Sequence, residues 1–100
     1  MKEIEKLNAL IEEEIEGARC YARLGAEYKE SRPEFSRKYV SIANQELEHM
    51  NMLHGMVVTL IDEYRVKEGE PPADMLAVYN YLHKKNVDKV TELKAYISNI

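Results

Sequence analysis

Three ionisable residues, Glu14, Glu46 and His49, fall at positions where a packed helix would bury them. Alternating steps of three and four along one stretch give Ile4, Leu7, Ile11, Glu14, Ala18, Tyr21, Gly25 and Tyr28, the pattern of a bundle seam in which Glu14 is the only charge. A later stretch gives Phe35, Tyr39, Ile42, Glu46, His49, Leu53, Met56 and Leu60. Ionised groups on a buried seam must be paired, hydrated or bound to a cation, because an unpartnered buried charge costs several kcal/mol. The i, i+3 spacing of Glu46 and His49 puts an oxygen and an imidazole nitrogen side by side on one helix face. Such a mixed donor set suits iron or manganese, whereas zinc favours closed sites of cysteine and histidine. A Glu-x-x-His pair alone is common on helix surfaces; its seam position and its match in level with Glu14 give it weight.

That match depends on the elements that carry the residues. The chain has only four glycines and three prolines, Pro33, Pro71 and Pro72, so long stretches run without a break. Helical spacing predicts helix 1 over about 2–30, ended at Ser31-Arg32-Pro33-Glu34, which has a Ser-x-x-Glu capping pattern and a first-turn proline. Helix 2 is expected over about 33–68, stopped by Gly69 and the two prolines after it. Helix 3 is expected over about 73–99 with a stripe of Leu76, Tyr79, Val90, Leu93, Ile97 and Ile100, kinked or split where His83 and Asn86 interrupt it. The short link folds helices 1 and 2 into an antiparallel hairpin. Counted from position 32, Glu14 lies 18 residues back, and Glu46 and His49 lie 14 and 17 forward. At a rise of about 1.5 Å per residue, all three come within roughly one turn of the same level.

The 100 residues make one all-helical domain with a modest core, which self-association would enlarge. The net charge of -4 is mixed along the chain, with no basic block to follow a phosphate backbone, so nucleic acid is excluded as a partner. No apolar run reaches the ~20 residues of a membrane span, and MKEIEKLNALIEEE carries acids where a signal peptide is apolar. The expectation is a cytoplasmic protein without membrane contact. The single cysteine, Cys20, agrees with a reducing compartment but decides nothing.

The stretch Glu14-Ile15-Glu16-Gly17-Ala18-Arg19-Cys20-Tyr21, followed by Glu46-Leu47-Glu48-His49, resembles the first helix pair of the ferritin-like superfamily, in which Glu-x-x-small-x-x-x-Tyr precedes Glu-x-x-His as in rubrerythrins. The resemblance covers residues 4–68. A completed site of this kind takes a Glu from each of two helices and a Glu-x-x-His from each of the other two. No second Glu-x-x-His follows here, and Asn80 stands three positions before His83. One copy therefore holds half a site. The likeness is to the short encapsulated ferritins, and it implies a homodimer closing into a four-helix bundle with two iron ions, Fe(II) and oxygen or peroxide as reactants, and Glu14, Glu46 and His49 as ligands. Tyr21 resembles the tyrosine near many ferritin-like sites that bonds a ligand or accepts an electron. Encapsulation in an encapsulin shell is part of the same resemblance, but no docking tail is recognised after Ile97, and Glu70-Pro71-Pro72-Ala73 has no counterpart there.

Plainer readings stand beside these. Glu14 has the alternative role of a register-setting polar residue, Glu46 and His49 that of a hydrogen-bonded buried pair, and Tyr21 that of core packing. Tyr28 and Tyr39 read as core. His54, about 140° round the helix from His49, should not reach the same ion and reads as a surface or flanking residue, as does His83. Two functions follow: a di-iron ferroxidase or peroxide-reducing enzyme, or a non-catalytic helical interaction module, such as a phage or mobile-element protein, that retains the bundle.

Overall fold

The computed structural model describes residues 1–100 as three helices: α1 (Lys2–Glu27), α2 (Pro33–Glu68) and α3 (Ala73–Ser98). The long α2 sets the shape, a rod of 56 × 17 × 17 Å. No helix is long and apolar enough to cross a membrane.

α1 ends earlier than its periodicity suggests. Tyr28 N–H bonds back to Leu24 O at 3.0 Å, and residues 28–31 form a turn. The capping box expected from Ser31 and Glu34 does not form. Pro33 occupies the first turn of α2, which makes Arg32 the N-cap, and Arg32 Nε takes the Glu34 carboxylate at 2.8 Å. The Arg32 guanidinium also lies 4.0 Å over the Phe35 ring, so one side chain fastens the turn. At the other end Gly69 adopts φ 82, the left-handed conformation that costs glycine little, and Pro72 caps α3. α3 then runs unbroken through His83 and Asn86, correcting the expected kink. Both residues face the hairpin: the His83 ring stacks on His54 at 4.5 Å, and Asn86 Nδ2 donates to Asn8 Oδ1 at 3.3 Å.

The innermost line of the hairpin shares Leu7, Ile11, Ala18 and Gly25 with the seam read from the sequence on α1 and lies beside that seam on α2. Leu7, Ile11, Ile15, Ala18, Ala22 and Gly25 of α1 meet Ser36, Ala43, Leu47, Met50, Val57 and Ile61 of α2. Ile15 and Ala22, outside that seam, are buried at 1% and 0% exposure. Small residues let the two axes come close near the turn. A Cβ on Gly25 would sit 2.9 Å from Val40 Cγ2, and Ser36 Oγ donates to Gly25 O at 2.6 Å, a buried bond of about 1 kcal/mol.

The expected seam residues Glu14, Tyr21, Tyr28, Tyr39, Ile42, Glu46, Leu53 and Leu60 are half-buried, forming a flank on one side of this core. Phe35, His49 and Met56 on the same line are exposed. Leu7 and Ile11 are enclosed, while Met56 stays 53% exposed. α3 packs chiefly against α1, with Val90 and Leu93 in the core and Tyr79, Ile97 and Ile100 against it.

Candidate metal centre

Glu14 comes from the middle of α1, and Glu46 and His49 come from successive turns of α2. The hairpin brings them to one level. One donor atom from each lies within 4.8 Å of the other two, the spacing of a cluster able to hold one cation. His49 Nδ1 is 3.6 Å from Glu14 Oε2, too long for a hydrogen bond but short for an electrostatic contact.

The triad is electrostatically unsettled without a cation. Glu14 Oε2 is shielded from solvent and has no hydrogen-bond partner. Glu46 is held above the ordinary carboxylate range because Glu14 is close enough to share its proton, because burial disfavours its charge, and because Glu14 repels it; nearby His49 acts in the opposite direction. Two converging carboxylates and an imidazole are the donor types that iron or manganese takes, and a divalent ion would relieve both the orphaned oxygen and the repulsion. The residues fit the group that the resemblance implies.

Gly17, one turn beyond Glu14, makes room for the Glu46 carboxylate: an added Cβ would lie 3.1 Å from Glu46 Oε2. Sequence reading placed Gly17 as the small residue of a pattern without seeing this role. Gly17→Ala should leave the melting temperature equal or higher, since alanine favours a helix by about 1 kcal/mol over glycine, yet weaken Fe(II) binding roughly tenfold by shifting a ligand. Thermal melting and anaerobic Fe(II) titration on the same preparation check this. Unchanged Fe(II) affinity would count against Glu46 as a ligand.

Tyr21 lies one heptad beyond Glu14 on α1. Its ring stacks on Tyr39 at 6.2 Å, and Tyr39 stacks on Tyr28 at 5.9 Å, a ladder running towards the turn. His54 faces α3 rather than the triad, in keeping with its angle round the helix, but it is half-buried against His83 rather than at the surface. Of the neighbouring acids, Glu13, Glu16 and Glu48 are exposed, and Glu16 pairs with Arg19 at 3.4 Å.

None of Glu14, Glu46 and His49 borders the groove that α3 covers, and His49 is exposed. No protein-family model, no curated protein and no solved structure matches this chain.

Proposed function

We propose that this is a ferritin-like, di-iron-binding ferroxidase whose metal site is completed by a second copy of the chain. The observation that carries the reading is the convergence of Glu14, Glu46 and His49 within 4.8 Å, with the Glu14 carboxylate shielded from solvent and crowded by that of Glu46. Two copies joined on this flank would bring four carboxylates and two imidazoles together, enough negative charge to balance two divalent ions. Fe(II) is the substrate in this reading, and manganese suits the same donors. Bound iron supplies the redox chemistry, in which Fe(II) passes electrons to oxygen or peroxide and is released as Fe(III), with protons consumed as the oxidant becomes water.

The chain's own residues bind and orient. Glu14 and Glu46 supply oxygens and His49 a ring nitrogen, and a cation binds these donors in competition with protons. Half-buried Ile42 and Leu53 flank Glu46 and His49 along α2 and would exclude water once a second copy covers them. An interaction module accounts for the exposed apolar flank but gives no reason for two carboxylates and an imidazole to converge within it. Oxygen-dependent Fe(II) oxidation, followed by absorbance, tests the proposal: wild-type protein should exceed the buffer rate at least tenfold. A rate equal to buffer would leave the interaction module as the better reading.

A further inference from the structure

We infer that the His54–His83 stack is a proton-operated latch: acidification puts positive charge on both rings and releases the first half of α3, residues 73–85, while α1 and α2 stay folded together. The latch lies outside the acidic triad and does not depend on the iron reading.

α3 is fastened weakly for its length. Of its 26 residues only Asn86, Val90 and Leu93 are buried, so nothing in the first half of the helix is fully enclosed. No ion pair joins α3 to the hairpin, and the bond from Asn86 to Asn8 at 3.3 Å is the one side-chain hydrogen bond between them. A groove of about 660 Å³ runs between α3 and the hairpin, which leaves much of the facing surface without close contact. The specific contact of the first half is aromatic. His83 stacks on His54 of α2 at 4.5 Å with the rings 13° from parallel, and Tyr79, one turn before His83, lies nearly parallel to it at 5.9 Å. No other aromatic pair crosses from the hairpin to α3.

Neutral imidazoles suit this arrangement and charged ones do not. Two imidazolium rings face to face at 4.5 Å repel, and because both residues are half-buried the solvent screens them less than it would at the surface. No carboxylate lies within ion-pair reach of either ring. On α1, Met1 and Glu5 border the groove; on α3, Lys94 does; α2 brings no charge to it besides His54. Lys84 and Lys85, next to His83 along the chain, are exposed and carry the sign of a protonated ring.

His54 is held below its ordinary value of 6.5, first by burial and then by His83. A histidine depressed in this way binds its proton better once released, so docking is complete above 6.5 and weakens as pH falls through that value. The two rings load in coupled steps, and the second proton, which meets the charge of the first, drives release. Val90 and Leu93 keep the far half of α3 in the core. Freed turns should fray, because a short helix without packing is marginal in water.

The test uses the full chain and amide hydrogen exchange at about pH 7.5 and about pH 5, corrected for the intrinsic pH dependence of exchange. Protection of residues 76–85 should fall at least about tenfold in acid, while Ile15, Ala18, Ala43 and Leu47 in the hairpin core keep theirs. Imidazole ¹³C signals of His54 and His83 in the same samples should titrate together with the loss. His54→Phe/His83→Phe keeps a stack that cannot charge, and its α3 should stay protected at both pH values. His83→Phe, which leaves one charge without a like neighbour, should retain most of its protection and serves in place of the double variant if that does not fold. Both variants leave the triad intact, so an acid effect arising there persists in them. Equal protection of α3 at the two pH values, parallel loss in the hairpin core, or the full wild-type loss in a folded phenylalanine variant would overturn the latch.

Discussion

Glu46→Ala is expected to weaken Fe(II) binding by at least about 100-fold, beyond what loss of a supporting residue alone costs, and to bring oxygen-dependent Fe(II) oxidation down to the buffer rate. A two-fold site would lose two carboxylates through this one substitution. Glu14→Ala and His49→Ala should follow it, with helicity retained because all three side chains lie on the flank rather than in the line of Ile11, Ile15, Ala43 and Leu47. Stability of the metal-free protein should move the other way. Glu46 is raised above its ordinary value of 4.5 by Glu14 and burial, so the folded chain holds that proton more tightly than the unfolded chain. The resulting penalty is absent below the unfolded value and grows as pH rises through the raised one. Glu46→Gln should therefore match wild type in acid and exceed it at neutral pH, while binding Fe(II) poorly. Melting curves across pH and anaerobic Fe(II) titration read the two effects separately. Wild-type Fe(II) affinity in Glu46→Ala would remove it from the ligand set.

The second large effect concerns the open flank. Phe35 and Met56 are 39% and 53% exposed, and half-buried Ile42, Leu53 and Leu60 continue the same line on either side of Glu46 and His49. An apolar strip of this kind, interrupted by a half-complete cation site, matches a two-fold contact in which each residue meets the partner's copy of its neighbourhood. Wild-type protein should be dimeric at micromolar concentration. Met56→Glu puts a charge into that contact without touching the hairpin core, and burying it unpaired costs several kcal/mol. Its dimer should dissociate at least about 100-fold more readily, and Fe(II) affinity should fall with it although every ligand remains. Light scattering combined with anaerobic Fe(II) titration checks both. A monomeric wild type, or a monomeric variant that binds Fe(II) normally, would contradict a shared site.

The parts of this architecture readable from the sequence were those set by counting along helices. Pro33, Gly69, Pro71 and Pro72 marked the breaks, and the distances of Glu14, Glu46 and His49 from the turn sufficed to bring them to one level. The seam was harder. On α1 the seam read from the sequence includes Leu7, Ile11, Ala18 and Gly25, which are buried, but it omits Ile15 and Ala22; on α2 it ran through Tyr39, Ile42 and Glu46, whereas Ala43 and Leu47 beside them are the buried ones, a small alanine contributing little to any hydropathy pattern. The end of α1 was missed because Ser31 resembles a cap, while Pro33 shifts the N-cap to Arg32. The environment of α3 could not be counted at all. Whether His83 meets His54 and Asn86 meets Asn8 depends on how residues 69–72 turn the chain, and no spacing within α3 encodes that.

The most direct test of the central proposal is the stoichiometry of anaerobic Fe(II) binding to wild-type protein, measured together with its mass in solution. A shared di-iron site predicts saturation at one Fe(II) per chain on a dimer, two ions per pair, with protons released as the carboxylates are occupied. No saturable binding, or saturation on a monomer, would contradict it.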